Sequence, residues 1–135
     1  MFYNNFGEKY TKNITEGVSF TALKTDKSKY DMLTVNFLFP RTEETTAFSS
    51  LLSAVIDRGT VKYPDMRSLE IAQEELYAAS AEVYTRTMGE CVCLTFSAAY
   101  MNKAYTMEKE DITPPVVAKY HFPIRKAAHF GIYML

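Results

Sequence analysis

Residues 33–59, LTVNFLFPRTEETTAFSSLLSAVIDRG, contain the change of period that decides the fold. Leu33, Val35, Phe37 and Phe39 recur at every second position, the spacing of a strand with one face turned inward. Pro40 has no N–H to continue a ladder, so the strand stops there. Thr42 offers a hydroxyl to cap a helix, and Glu43 and Glu44 put negative charge in a first turn, where the helix dipole favours it. Phe48, Leu51, Leu52, Val55 and Ile56 then keep the 3.6-residue period, and Gly59 falls just past the end, where a left-handed cap is wanted. The spacing predicts a helix over about 43–57.

The same reading extends outward. Val18, Phe20 and Ala22 alternate with Ser19 and Thr21, and the polar stretch Asp26-Lys27-Ser28-Lys29 separates them from Leu33–Phe39, which predicts a β-hairpin. Downstream of the Tyr63-Pro64-Asp65 turn, Leu69, Ala72, Leu76 and Ala79 share one face and Glu70, Glu74 and Glu75 the wet side, predicting a second helix near 68–79. Glu82 to Arg86 and Cys91 to Phe96 flank Met88-Gly89-Glu90, a three-residue hairpin loop. The order β-β-α-α-β-β predicts the α+β class: an antiparallel β-sheet built from the two hairpins, with both helices packed on one face. Phe20, Val35, Phe37, Leu51, Leu52, Val55, Leu76 and Phe96 are the expected core.

With 135 residues, 47% hydrophobic and 23% charged, the chain has the balance of one globular domain. Fifteen Lys+Arg against 16 Asp+Glu leave a formal charge of −1, so no electrostatic footprint for nucleic acid is present. Two cysteines without a C-x-x-C, no charged-then-apolar leader and no run of 18 apolar residues read as an intracellular, cytoplasmic chain without a complete membrane span. From Thr106 the charge run Met107–Asp111 and Thr113-Pro114-Pro115 mark a boundary. Residues 1–105 are read as the domain, 106–121 as a linker and 122–135 as a helical tail cut short.

Chemistry is sparse. Neither H-E-x-x-H nor H-x-x-E-H occurs, and His121 and His129 stand eight residues apart with no carboxylate between them. Cys91 and Cys93, at i and i+2, share a strand face and supply at most half a metal site, so they read as buried small residues. No G-x-S-x-G, Walker A loop or G-x-G-x-x-G is present. Glu70, Glu74 and Glu75 read as a solvated face, and Asn13-Ile14-Thr15 matches the glycosylation sequon without a secretory leader. No metal or cofactor is expected.

Three spaced motifs, KTDKSKY at 24–30, LLSAVIDRGTVKYPD at 51–65 and EELYAASAEVY at 74–84, resemble the N-terminal part of the insulinase-like (pitrilysin) metallopeptidase family over about residues 13–105. The likeness is to the bacterial branch that lacks the zinc motif, with Ala78 where that branch commonly has glycine. Aligned through Gly59-Thr60, the family's H-x-x-E-H positions fall on Ser50, Ser53 and Ala54, none of which does the work of a zinc ligand or general base. The match covers about half of a family domain. It implies a non-catalytic homologue that sits beside a catalytic insulinase-like peptidase subunit, or self-associates, and binds peptide. The rival reading is part of a working zinc peptidase whose ligands come from elsewhere. In the tail, FPIRKAAHFGIYML is similar to the segment opening a transmembrane helix in VanZ-like proteins, through Arg125, Lys126, His129, Phe130, Tyr133 and Leu135, with Gly131 where a polar residue is usual. That likeness implies a membrane-associated piece.

Overall fold

The computed structural model describes residues 8–114, in the order β1 (Lys9–Thr15), β2 (Val18–Leu23), β3 (Tyr30–Pro40), α1 (Glu43–Ile56), α2 (Met66–Glu74), β4 (Ser80–Met88) and β5 (Cys91–Met101). His121, His129 and the VanZ-like stretch lie outside the described residues. β3, β5 and β4 make a three-stranded antiparallel sheet with β5 central, and β1 with β2 makes a separate antiparallel pair. With α1 laid on the larger sheet, the class is α+β, as the element order predicts.

The register explains the core. Leu33, Val35, Phe37 and Phe39 stand opposite Ala98, Phe96, Leu94 and Val92 of β5, and Val83 of β4 stands on the far side of Phe96. Directly opposed residues share a face, so the period-2 apolar set of β3 joins that of β5 in one layer. Leu52 and Ile56 of α1 close over Phe39, Val83, Leu94 and Phe96. The rings of Phe37 and Phe96 meet edge to face at 5.9 Å and 81°.

The sheet differs from the expected one in its pairing. β2 does not pair with β3; it folds back on β1, with Gly17 at φ 73° in the turn and a bulge between Asn13 and Thr15. The polar stretch after Leu23 makes local bends instead of a hairpin turn. There the Lys27 N–H donates to the Thr25 hydroxyl (3.2 Å) and the Tyr30 N–H to the Ser28 hydroxyl (3.0 Å). Phe20 is accordingly 49% exposed, outside the core. Leu51 and Val55 are also outside it, at 67% and 59% exposed, because α1 lies on the sheet through Ser49, Leu52 and Ile56 and its apolar stripe is wider than that contact. Val35, Phe37, Leu52 and Leu76 are half-buried and Phe96 is buried.

α2 starts earlier than expected and ends earlier. Asp65 caps it, its carboxylate accepting from the Ser68 N–H at 2.8 Å. Tyr77 and Ala78 take left-handed φ values of 58° and 56°, which stops the helix short of 79. The second hairpin forms where expected, with a two-residue loop, Gly89-Glu90, and longer strands. Gly59 is not a left-handed cap: α1 ends at Ile56 with Asp57 as its right-handed C-cap, and Gly59 lies instead against the Tyr63-Pro64 backbone. Beyond β5 the chain folds back, as the Asn102 N–H donates to the Lys29 carbonyl at 2.9 Å and Ile112 packs with Ala79, Ala98 and Tyr100.

Candidate functional site

The positions that a zinc helix would use lie on α1, whose start is fixed by a reciprocal cap. The Thr45 N–H donates to the Thr42 hydroxyl (3.1 Å) and the Thr42 N–H to the Thr45 hydroxyl (2.9 Å). Ser49, fully buried, sets the helix rotation and satisfies its hydroxyl by donating to the Thr45 carbonyl at 2.6 Å. With Ser49, Leu52 and Ile56 facing the sheet, Ser50 and Ala54 fall one turn apart on the outer side, exposed, and Ser53 is half-buried. The helical spacing is that of a metal-binding pair, but the donors are wrong. The Ser53 hydroxyl already donates to the Ser50 carbonyl at 2.9 Å, and alanine has no donor atom. These residues do not fit a zinc ion, and among the described residues no group of three His, Cys, Asp or Glu is placed to hold a metal.

Asp57, at the C-terminal end of α1, has its carboxyl pushed above the ordinary carboxylate range. Partial burial is the main cause, opposed by the Val83 backbone hydrogen bond and helped by the negative charge of Glu82. Glu70, Glu74 and Glu75 are exposed along and just past α2.

The opposite face of the sheet holds a polar group at its centre. Asn36 of β3 is paired with Thr95 of β5, whose hydroxyl, fully buried, donates to the Asn36 Oδ1 at 2.8 Å. The Cys93 thiol, 1% exposed, lies 3.6 Å from the same oxygen and 3.5 Å from the Thr95 hydroxyl. Cys93 is thus buried as its spacing suggests, and Cys91, on the same face, is half-buried; both are free. The thiol's partners are neutral oxygens, which satisfy a buried polar group and supply no base for nucleophilic chemistry. Asn36 and Thr95 escaped the sequence reading; the available signal was a polar residue interrupting each of two apolar strands.

Ala78 combines a motif position with an unusual backbone. The family-like LYAA at 76–79 has alanine where the resembled branch commonly has glycine, and that residue sits at φ 56°. A non-glycine residue there costs about 1–2 kcal/mol, while glycine loses roughly 0.5–1 kcal/mol more chain entropy on folding. Ala78→Gly is therefore expected to raise the melting temperature, by about 2–5 °C for a gain of roughly 0.5–1 kcal/mol. Tyr77→Gly, at the same backbone angle, is expected to give no gain, because the Tyr77 ring packs on the Ala79, Ala98, Tyr100 and Ile112 cluster. Thermal unfolding of both variants checks this; equal shifts would show that backbone angle is not what limits this turn.

No family model matches the sequence, and no curated protein matches it. Among solved structures, the chain is similar to one described as a conserved protein from Enterococcus faecalis V583, with a TM-score of 0.68 at 24% identity. The alignment covers 74% of this chain and 24% of that one, so this chain spans about a quarter of that protein's length. The likeness is one of fold. Among the described residues no helix is long and apolar enough to cross a membrane.

Proposed function

We propose that the protein is a non-catalytic homologue of the insulinase-like peptidases, acting in the cytoplasm by binding peptide beside a catalytic zinc peptidase subunit. The observation that carries the reading is α1: the positions to which the sequence resemblance assigns the family's zinc motif fall on this helix at i, i+3 and i+4, and Ser50, Ser53 and Ala54 there hold neither ligand nor base. Two further facts support it. The three family-like motifs fall on junctions, at the β2–β3 connection, across the end of α1 into the α2 cap, and from α2 into β4. Ala78 has a left-handed φ, a backbone angle suited to the glycine that the resembled branch commonly has at that position. The free, unpaired Cys91 and Cys93 agree with a reducing compartment.

The test is zinc content and cleavage of a mixed peptide substrate by the purified chain, with peptide binding read by fluorescence anisotropy. Binding without zinc and without cleavage is expected; stoichiometric zinc with cleavage would replace this reading by the active peptidase, and recovery with lipid vesicles by the membrane-associated one. The triple variant Ser50→His, Ser53→Glu, Ala54→His is expected to remain without proteolytic activity, because a third protein ligand and a supporting shell are still needed. Peptide cleavage by that variant alone would show that only the helix positions were lacking.

A further inference from the structure

The β1–β2 hairpin is amphipathic and uncovered. Tyr10 stands opposite Ala22, Lys12 opposite Phe20 and Thr15 opposite Val18, so these six share one face; Lys9 with Leu23, Thr11 with Thr21 and Asn13 with Ser19 share the other, where Leu23 is the single large apolar residue. All of β1 is exposed, and of β2 only Ala22 is half-buried. Tyr10, Ile14, Val18 and Phe20 show 56%, 64%, 48% and 49% of their surface. A lone two-stranded hairpin is marginal in water, and a one-sided apolar pattern specifies a covered face.

A second uncovered apolar surface has the matching properties. Glu44, Ala47, Leu51 and Val55 run along the outer side of α1, and exposed Ile71 lies between Glu70 and Glu74 on α2. Residues 42–75 carry seven acidic side chains against three basic ones, whereas the hairpin, residues 9–23, carries two lysines against one acid. The lengths agree as well: seven residues of strand reach about 23 Å and fourteen of helix about 21 Å.

We propose that the hairpin is an arm that lies across α1 and α2 of a second copy, the two copies exchanging arms about a two-fold axis. Both complementary patches belong to one chain, so an isologous pair uses each of them twice. At about 100 Å² from each half-exposed large side chain, the seven meeting in one arm–helix contact, doubled by symmetry, bury roughly 1,400 Å², within the range of a stable interface. Lys12, central on the arm's apolar face, meets the acidic border of the helices. This inference stands apart from the peptidase-homologue reading, whose zinc and cleavage tests it leaves untouched.

Sedimentation of the full chain tests it. The wild type is expected to dimerise at micromolar concentration. Val18→Asp with Phe20→Asp, and separately Leu51→Asp with Val55→Asp, are each expected to give monomers of unchanged helix content by circular dichroism. A one-to-one mixture of those two variants is expected to associate more than either variant alone but more weakly than the wild type, since the mixed pair keeps one of its two arm–helix contacts intact. Should an aspartate variant unfold, Lys12→Glu is expected to weaken dimerisation at least tenfold with a smaller salt dependence. A monomeric wild type, a surviving dimer in either double variant, a mixture that associates no more than either variant alone, or Lys12→Glu dimerising as tightly as the wild type would each overturn the arm exchange.

Discussion

Leu94→Ala is expected to cost about 2–5 kcal/mol, a large part of the roughly 5–15 kcal/mol that holds an ordinary domain together. Leu94 is 1% exposed, at the middle of the central strand, opposite Phe37 on one side and Thr85 on the other. Phe39, Val83 and Phe96 surround it, under Leu52 and Ile56 of α1. Strands hydrogen-bonded on both edges cannot slide into the space left by the lost methyls, so the cavity term adds to the transfer term. Urea unfolding should show the midpoint falling by about 1–3 M at an unchanged slope, given roughly 1–3 kcal/mol per molar for domains of this size. Leu51→Ala, on the same α1 but 67% exposed, is expected to change monomer stability by no more than about 0.5 kcal/mol. Comparable losses at both positions would mean that the sheet face of α1 is not the core.

That contrast also marks how far the sequence could be read. The alternation Leu33, Val35, Phe37, Phe39 is a local pattern, and it places the inward face of β3 correctly. Which strand β3 pairs with is a non-local matter. The period-2 set Val18, Phe20, Ala22 is equally compatible with pairing forward to β3 or backward to β1, and only the Gly17 turn, with its left-handed φ, favours the backward choice. On α1 the five apolar positions span a wider arc than one sheet covers. The buried serine that decides the helix rotation, Ser49, carries no apolar signal.

The candidate site was legible in its chemistry and not in its surroundings. Residue types alone establish that Ser50, Ser53 and Ala54 offer no zinc ligands, and the fold adds that Ser50 and Ala54 lie on the exposed outer side of α1 while Ser53 is half-buried. The Asn36–Thr95 hydrogen bond joins residues 59 apart in sequence. Such a pair is visible only once the β3–β5 register is known, because a one-residue slip would send Asn36 to the apolar face.

Gly59→Ala is expected to destabilise the protein by about 1–3 kcal/mol, through the turn that joins the two helices. A Cβ built on Gly59 would lie 2.9 Å from the Pro64 carbonyl oxygen, 3.0 Å from its carbon and 3.0 Å from the Tyr63 carbonyl oxygen. All three are backbone atoms, so no side chain can rotate away. The segment they belong to is tied in place: the Thr60 N–H donates to the Tyr63 carbonyl at 2.7 Å and the Tyr63 N–H to the Thr60 hydroxyl at 3.1 Å. Pro64 directly precedes Asp65, whose carboxylate caps α2, so relieving the clash shifts the cap as well. Gly17→Ala supplies the comparison, since Gly17 has a φ of 73° with open space around it. Its loss should stay near 1 kcal/mol and reflect backbone angle alone. In thermal unfolding, Gly59→Ala should therefore lower the midpoint more than Gly17→Ala does, and Gly59→Ser should behave like alanine because the contact is made at Cβ. A Gly59→Ala protein as stable as the wild type would show that the Tyr63-Pro64 backbone yields freely, and the family-like Gly59-Thr60 pair would then need a reason other than close approach.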